Sequence, residues 1–311
     1  MNLRGSIVPL VTPFRNGRVD STALVDLIEW QIDSGSHGVS VTGSTGEPAA
    51  LSIEEREGVI ETAVRAAHGR VPVVAGTGSA HLEETLRLTR FAKRVGADAA
   101  LIVTPYYTRP GQEGLYRFFR TVADAVDIPI ILYNIPGRTA VNLEPETTAR
   151  LARDCRNIIG VKESNKDLEH IARVMHRCGR QFLVYSGIEL LCLPILALGG
   201  AGYVSATGNV MPREVARLYD LVAAAKWEEA RDLHYHLLPM NDILFIETNP
   251  VPAKTALGLM GRCSSEVRLP HAPLRPESEA RLREVMMTYG LLPRTEAREP
   301  TRSAGAPPAH R

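Results

Sequence analysis

The chain has 311 residues, 44% of them hydrophobic and 23% charged, with 36 Lys and Arg against 35 Asp and Glu for a net charge of +1. That length suits one large α/β domain or two ordinary ones. A charge balance this even leaves no electrostatic footprint for nucleic acid or an anionic membrane.

The longest apolar run is broken by Gly and Pro and is too short to span a bilayer. Residues 1–6 (MNLRGS) lead straight into a strand, with no secretory leader in the pattern. Cys155, Cys178, Cys192 and Cys263 form no CxxC pair and read as free thiols of a cytoplasmic protein.

Ser6 to Pro13 reads as a first strand. Asp20 caps a helix with Leu24, Leu27, Ile28 and Ile32 at helical spacing. His37 to Thr42 is a second strand, running into the turn Gly43-Ser44-Thr45-Gly46-Glu47. A helix follows from about Ser52, with Glu54 and Glu55 in its first turn, where carboxylates complement the helix dipole. The third strand, Val71 to Ala75, ends in Gly76-Thr77-Gly78 and precedes a helix carrying Leu82, Leu86 and Phe91. The fourth, Ala99 to Thr104, ends in Pro105-Tyr106-Tyr107. After a helix from about Gln112, the fifth runs from Ile128 to Tyr133 and ends in Asn134-Ile135-Pro136-Gly137-Arg138-Thr139. Asn157 to Lys162 is the sixth, Phe182 to Tyr185 the seventh and Gly202 to Ser205 the eighth.

Eight short apolar strands alternating with helices predict an α/β fold of the parallel (β/α)8 TIM barrel type. A doubly wound open sheet fits less well, because no strand is followed by a GxGxxG phosphate loop. Past Pro212 the strands stop and helical stretches continue to about Gly290. The expected division is a barrel over 1–225, a C-terminal helical extension over 226–293, and a disordered Pro-, Ala- and Arg-rich tail over 294–311.

The sixth strand ends on Lys162. Burying an ammonium costs several kcal/mol unless it is paired or neutralised. A lysine held there can have its pKa lowered and attack a ketone to form a Schiff base. The plain alternative is a lysine that snorkels into water.

Active sites of such barrels lie at the C-terminal ends of the strands. There this chain offers Ser44, Thr45, Tyr106, Tyr107, Tyr133, Arg138 and Lys162. Each alone has an ordinary reading as a turn, packing or solvated residue. On one rim beside a strand-end lysine they have complementary tasks. An iminium on Lys162 is an electron sink for making or breaking the neighbouring C–C bond. The 43–47 turn brings backbone N–H groups and hydroxyls to a carboxylate. Tyr133 can carry protons, although a phenol of pKa near 10 needs help from hydroxyls such as Ser44 and Tyr107. Arg138 offers a planar fork to a second carboxylate. The substrates expected are therefore a keto acid and a second acidic compound. No HExxH, His/Asp cluster or CxxC pattern suggests a metal, and no cofactor is expected beyond a covalent imine on Lys162.

The chain resembles the dihydrodipicolinate synthase / N-acetylneuraminate lyase family of pyruvate-dependent Schiff-base lyases and aldolases. The resemblance runs from about Gly5 to Leu292. It is carried by the 43–47 turn, Thr104 to Tyr107, Tyr133 to Thr139, Gly160 to Glu163, and Asn249 to Lys254. It implies a barrel with a C-terminal helical extension, assembled as a homotetramer of two tight dimers. It implies that Lys162 forms the imine with pyruvate and that Tyr133 carries protons, linked through Ser44 to a Tyr107 contributed by the neighbouring subunit. The backbone at Ser44 and Thr45 would hold the pyruvate carboxylate. Arg138, Gly187, Val204 and Asn249 would complete the substrate site. Arg138 stands at the position that binds the carboxylate of aspartate semialdehyde in the synthases and that the sialic-acid lyases lack. The reaction implied is condensation of pyruvate with aspartate semialdehyde.

Three departures stand out. Ser44 replaces the threonine usual in the synthases. Ile188 in Ser186-Gly187-Ile188-Glu189 replaces an acid of their Ser-Gly-Asp-Asp run. This change keeps a second reading open: a catabolic aldolase or dehydratase on a 2-keto-3-deoxy or 2-keto-4-hydroxy acid such as 2,4-dihydroxyhept-2-ene-1,7-dioate, which yields succinate semialdehyde. Ile53, Arg56 and Ala80 occupy positions that lysine-inhibited synthases fill with histidines and an asparagine, so no feedback by lysine is expected. A non-catalytic keto-acid-binding barrel is the alternative from another class, since fold alone does not give function.

Overall fold

The eight expected strands all form, each short and apolar, in a computed structural model that describes residues 2–293. The expected tail over 294–311 lies outside the described residues. In chain order the strands are β1 (Gly5–Pro9), β2 (Phe14–Arg15), β3 (Arg18–Val19), β4 (Gly38–Val41), β5 (Val73–Gly76), β6 (Ala99–Val103), β7 (Ile130–Asn134), β8 (Ile158–Glu163), β9 (Leu183–Ser186) and β10 (Gly202–Val204). β2 and β3 make a two-residue hairpin outside the barrel, too short to show a period in the sequence. The other eight close in the order β1-β10-β9-β8-β7-β6-β5-β4, parallel throughout.

Strand limits shift from the sequence reading by one to four residues, and two of these shifts have plain local reasons. β1 stops at Pro9, because Val11 N–H turns away to donate to Asn209 Oδ1 at 3.2 Å. β7 starts after Pro129, which has no N–H for a ladder.

The barrel helices are α1 (Ser21–Asp33), α2 (Ile53–Ala67), α3 (Leu82–Val95), α4 (Gln112–Ala125), the four-residue α5 (Pro136–Thr139), α6 (Pro145–Asp154), α7 (Leu168–Cys178), α8 (Cys192–Ala197) and α9 (Pro212–Ala223). The Asp20 carboxylate accepts from Ala23 N–H at 3.1 Å and starts α1. Ser52 and Glu55 satisfy each other's backbone N–H in a capping box that starts α2. The extension is α10 (Trp227–Ile243), α11 (Val251–Leu259) and α12 (Pro276–Thr288). It shares one hydrophobic cluster with Tyr203, Val215 and Leu218 of the last barrel unit. Among the described residues no helix is long and apolar enough to cross a membrane.

Side-chain alternation along the strands makes two apolar shells. Ile7, Val74, Leu101, Ile131 and Tyr185 fill the barrel interior. Val8, Val39, Leu132, Val161 and Val184 pack outward under the helices. One irregularity matters for the site. Ile130 pairs with Ile158, but Ile131 pairs with Gly160, so β8 carries one extra residue. A regular ladder continued from Ile158 would set Val161 against Tyr133 and turn Lys162 toward the helices. The bulge shifts the phase by one residue, which reverses every side chain beyond it. Lys162 therefore faces inward, directly opposite Tyr133.

Candidate active site

Lys162, Tyr133, Ser44, Thr45 and Arg138 line one cavity of about 540 Å³ at the C-terminal end of the strands. Gly187, Val204 and Asn249 line it too. Tyr107 does not. It is 92% exposed, with φ +74, and borders neither this cavity nor the one beside it.

Lys162 is 6% exposed, and its Nζ lies 4.2 Å from the centre of the Tyr133 ring. Burial by itself would raise the Tyr133 pKa. The Lys162 charge and hydrogen bonds with Ser44, Ser164 and Lys162 outweigh it, and the phenol ends below its ordinary value. That suits a group that must give and take a proton. Ser164 was missed in the sequence. Strand alternation could have found it, since a residue two beyond Lys162 faces the same side. Its hydroxyl also donates to the Gly187 carbonyl at 3.3 Å.

Gly187 is held by its N–H, which donates to the Glu163 carbonyl at 2.7 Å. There is no room for a side chain: a Cβ would sit 2.1 Å from Ser164 Oγ and 2.8 Å from Lys162 Cε. Ile188 also lines the cavity, as does Glu189, so an acid remains in the strand-seven loop one residue later. Burial raises the Glu189 pKa, opposed by the Ala206 N–H that donates to its Oε1 at 2.8 Å and by the Lys162 charge.

The extension closes the opposite wall. Asn249 donates from Nδ2 to Thr45 Oγ1 at 3.0 Å, and its carbonyl accepts from Arg138 Nη2 at 3.0 Å. Behind the 43–47 turn, Lys254 Nζ and Glu47 Oε1 form a fully buried ion pair at 2.6 Å. Lys254 Nζ also stands 3.8 Å over the Phe14 ring, and Glu47 Oε2 accepts from Arg268 N–H at 3.2 Å. The sequence motif contained Lys254, but nothing in it assigned the residue a partner. Arg138 also borders a second cavity of about 630 Å³, which contains Ile53, Arg56, Glu84 and Tyr106. Ala80 is not among the residues lining it. Burial lowers the Arg56 pKa to about 10, and its Nη2 donates to the Gly76 and Gly78 carbonyls.

An amine sheltered from water yet open to a cavity, with a phenol able to move its protons, suits covalent chemistry on a carbonyl. On a (β/α)8 scaffold that is the equipment of a class I, pyruvate-dependent lyase, and the chain is an enzyme of that class. It belongs to the Dihydrodipicolinate synthetase family, whose model matches residues 2–288. A 4-hydroxy-tetrahydrodipicolinate synthase of Thermus thermophilus is 51% identical over 292 residues, covering 94% of this chain and 98% of that one. One of Pelobacter propionicus is 50% identical, covering 93% and 99%. The crystal structure of dihydrodipicolinate synthase from Aquifex aeolicus matches with a TM-score of 0.92 at 48% identity, covering 93% of this chain and 99% of that one.

Proposed function

We propose that this chain is a 4-hydroxy-tetrahydrodipicolinate synthase that joins pyruvate to aspartate semialdehyde, with Lys162 as the imine-forming amine. The observation that carries the reading is the inward-facing Lys162 set against Tyr133, with Arg138 lining the same cavity. Lys162 Nζ attacks C2 of pyruvate, and loss of water leaves an iminium. Loss of a C3 proton gives an enamine, whose C3 attacks the aldehyde carbon. The amine of the aldehyde substrate then adds to C2 and displaces Lys162, closing the ring. One water leaves overall. Tyr133 carries protons in these steps, aided by Ser44 and Ser164. The turn at Ser44 and Thr45 holds the pyruvate carboxylate, and Arg138 takes the carboxylate of the aldehyde.

Tyr107 belongs to this reading as a residue given to the neighbouring subunit of a tight dimer, within a homotetramer. Its exposure and its absence from the lining of its own chain's cavity support that assignment. The free thiols Cys155 and Cys192 fit a cytoplasmic enzyme. Lysine is not an inhibitor in this reading, because Ile53, Arg56 and Ala80 replace the histidines and asparagine of the lysine-inhibited synthases, and of these three Ile53 and Arg56 line the second cavity.

The test is a side-by-side assay of purified protein with pyruvate and either aspartate semialdehyde or succinate semialdehyde, following pyruvate loss. Faster turnover with aspartate semialdehyde is expected. Preference for succinate semialdehyde would make the chain a catabolic aldolase, with Arg138 reading only a carboxylate. Borohydride reduction with pyruvate should leave an adduct on Lys162 and none on Lys162→Ala.

A further inference from the structure

Behind the reacting pair, on the helix side of the sheet, lies a buried polar cluster that none of these steps uses. Asn134 follows Tyr133 on β7, and Glu163 follows Lys162 on β8; the two are ladder partners. Both are 0% exposed. Asn134 Nδ2 donates to Glu163 Oε2 at 3.0 Å, and His170 Nε2, on α7, lies 3.3 Å from Glu163 Oε1. Asn134 also reaches the connection that follows α5, the short helix that carries Arg138. Its Oδ1 accepts from Leu143 N–H at 3.0 Å, and its Nδ2 bonds to Asn142 Oδ1 at 2.9 Å.

This is an expensive arrangement for a sheet–helix interface. The neighbouring outward positions Ile130, Leu132, Ile158 and Val161 are all apolar, as packing alone would favour. A buried carboxylate costs several kcal/mol before its partners are counted, and apolar residues of similar volume often serve stability equally well. What the polar cluster adds is direction, because hydrogen bonds fix positions that apolar contacts leave free to slide. Such fixing is needed here, since the bulge at Ile159 interrupts the ladder just ahead of the pair.

We propose that Asn134, Glu163 and His170 form a positioning clamp that sets Lys162 against Tyr133 and anchors the connection after α5, the short helix that carries Arg138. The inference rests on the reading of Lys162 as the imine-forming amine. The three residues touch no substrate. They act through the residues beside them on the strands, and the side chains of Glu163 and Lys162 lie on opposite faces of one strand.

The test follows trapping of pyruvate on Lys162 by cyanoborohydride in the full-length protein, reading both rate and final amplitude by mass. Glu163→Leu keeps the volume and removes the carboxylate. Its adduct is expected to reach wild-type amplitude about tenfold more slowly, in keeping with the cost of a displaced reacting group. kcat should fall by a similar factor with the pyruvate KM unchanged. Glu163→Gln, which keeps an acceptor for Asn134, should recover most of the lost rate. A merely structural role would lower the amplitude and leave the rate per folded site unaltered, and that result overturns the clamp. If Glu163→Leu does not fold, His170→Leu is read in its place. A slowing of about threefold is expected there, and an unchanged rate overturns the clamp. Absence of any adduct on Lys162 in the unaltered protein overturns the reading of the site and the clamp with it. That outcome is seen before any clamp variant is made.

Discussion

The backbone of Gly187 closes over Lys162 so tightly that a single methyl group on it would meet Lys162 Cε at 2.8 Å. The same methyl would meet Ser164 Oγ at 2.1 Å. Neither neighbour can retreat far, because both are buried in the strand end. Gly187→Ala is therefore expected to move the amine and cut kcat by about 100-fold, the scale of a reacting group displaced by about 1 Å. Steady-state kinetics checks it, with a melting curve to confirm that the variant is folded. A rate near that of the unaltered protein would mean that Lys162 has freedom the packing does not suggest.

Ser164 hydrogen-bonds the Tyr133 phenol alongside Lys162 and Ser44. A hydrogen bond to the phenol favours its ionised form, so removing that bond raises the pKa. In Ser164→Ala, the limb of the kcat/KM profile governed by Tyr133 should move to higher pH. The rate at neutral pH should fall by about tenfold as the proton carrier loses a partner. A pH–rate series on the two proteins decides it. A shift to lower pH would mean that the Ser164 hydroxyl does not stabilise the ionised phenol.

The fold was legible because its strands repeat and its polar residues gather at one end. Eight apolar runs, each closing on a polar turn, admit few architectures, and hydroxyl, phenol, guanidinium and amine all fell on the same rim. The phase of β8 was not legible. Asn157 to Lys162 reads as a plain strand, and no composition rule marks Ile159 as the extra residue, because a bulge is set by the partner strand. Long-range pairs were hidden for the same reason. Glu47 and Lys254 are 207 residues apart, and only the folded chain brings them together. The departure at Ile188 looked like the loss of an acid, but the loop's geometry leaves Glu189 lining the same cavity.

That buried ion pair couples the extension to the substrate turn. Removing one partner leaves a charge stranded away from water, at a cost of about 3–5 kcal/mol. Lys254→Met is expected to lower stability on that scale, and denaturant unfolding measures it. Adding Glu47→Gln should recover part of the loss, since the stranded carboxylate is gone although the donor at Arg268 remains. The site should respond as well, because Glu47 ends the turn that carries Ser44 and Thr45. A full loss that persists in the double variant would point to packing around Phe14 as its source.

Tyr107 makes the strongest demand on assembly. It stands 92% exposed in the left-handed region, a conformation that costs a non-glycine residue about 1–3 kcal/mol and persists where surroundings hold it. If it completes the partner's site, two inactive chains can repair each other. Lys162→Ala keeps Tyr107 but has no amine, whereas Tyr107→Phe keeps the amine but lacks the phenol hydroxyl. In a hybrid dimer, one site receives Lys162 from one chain and Tyr107 from the other. Unfolding and refolding the two together at equal amounts should make half of the dimers hybrids and restore about a quarter of the unaltered activity, by symmetric pairing. Mixing without refolding should restore nothing. If refolded mixtures show only the mean of the two variants, Tyr107 acts within its own chain or not at all, and the site is complete in a single subunit.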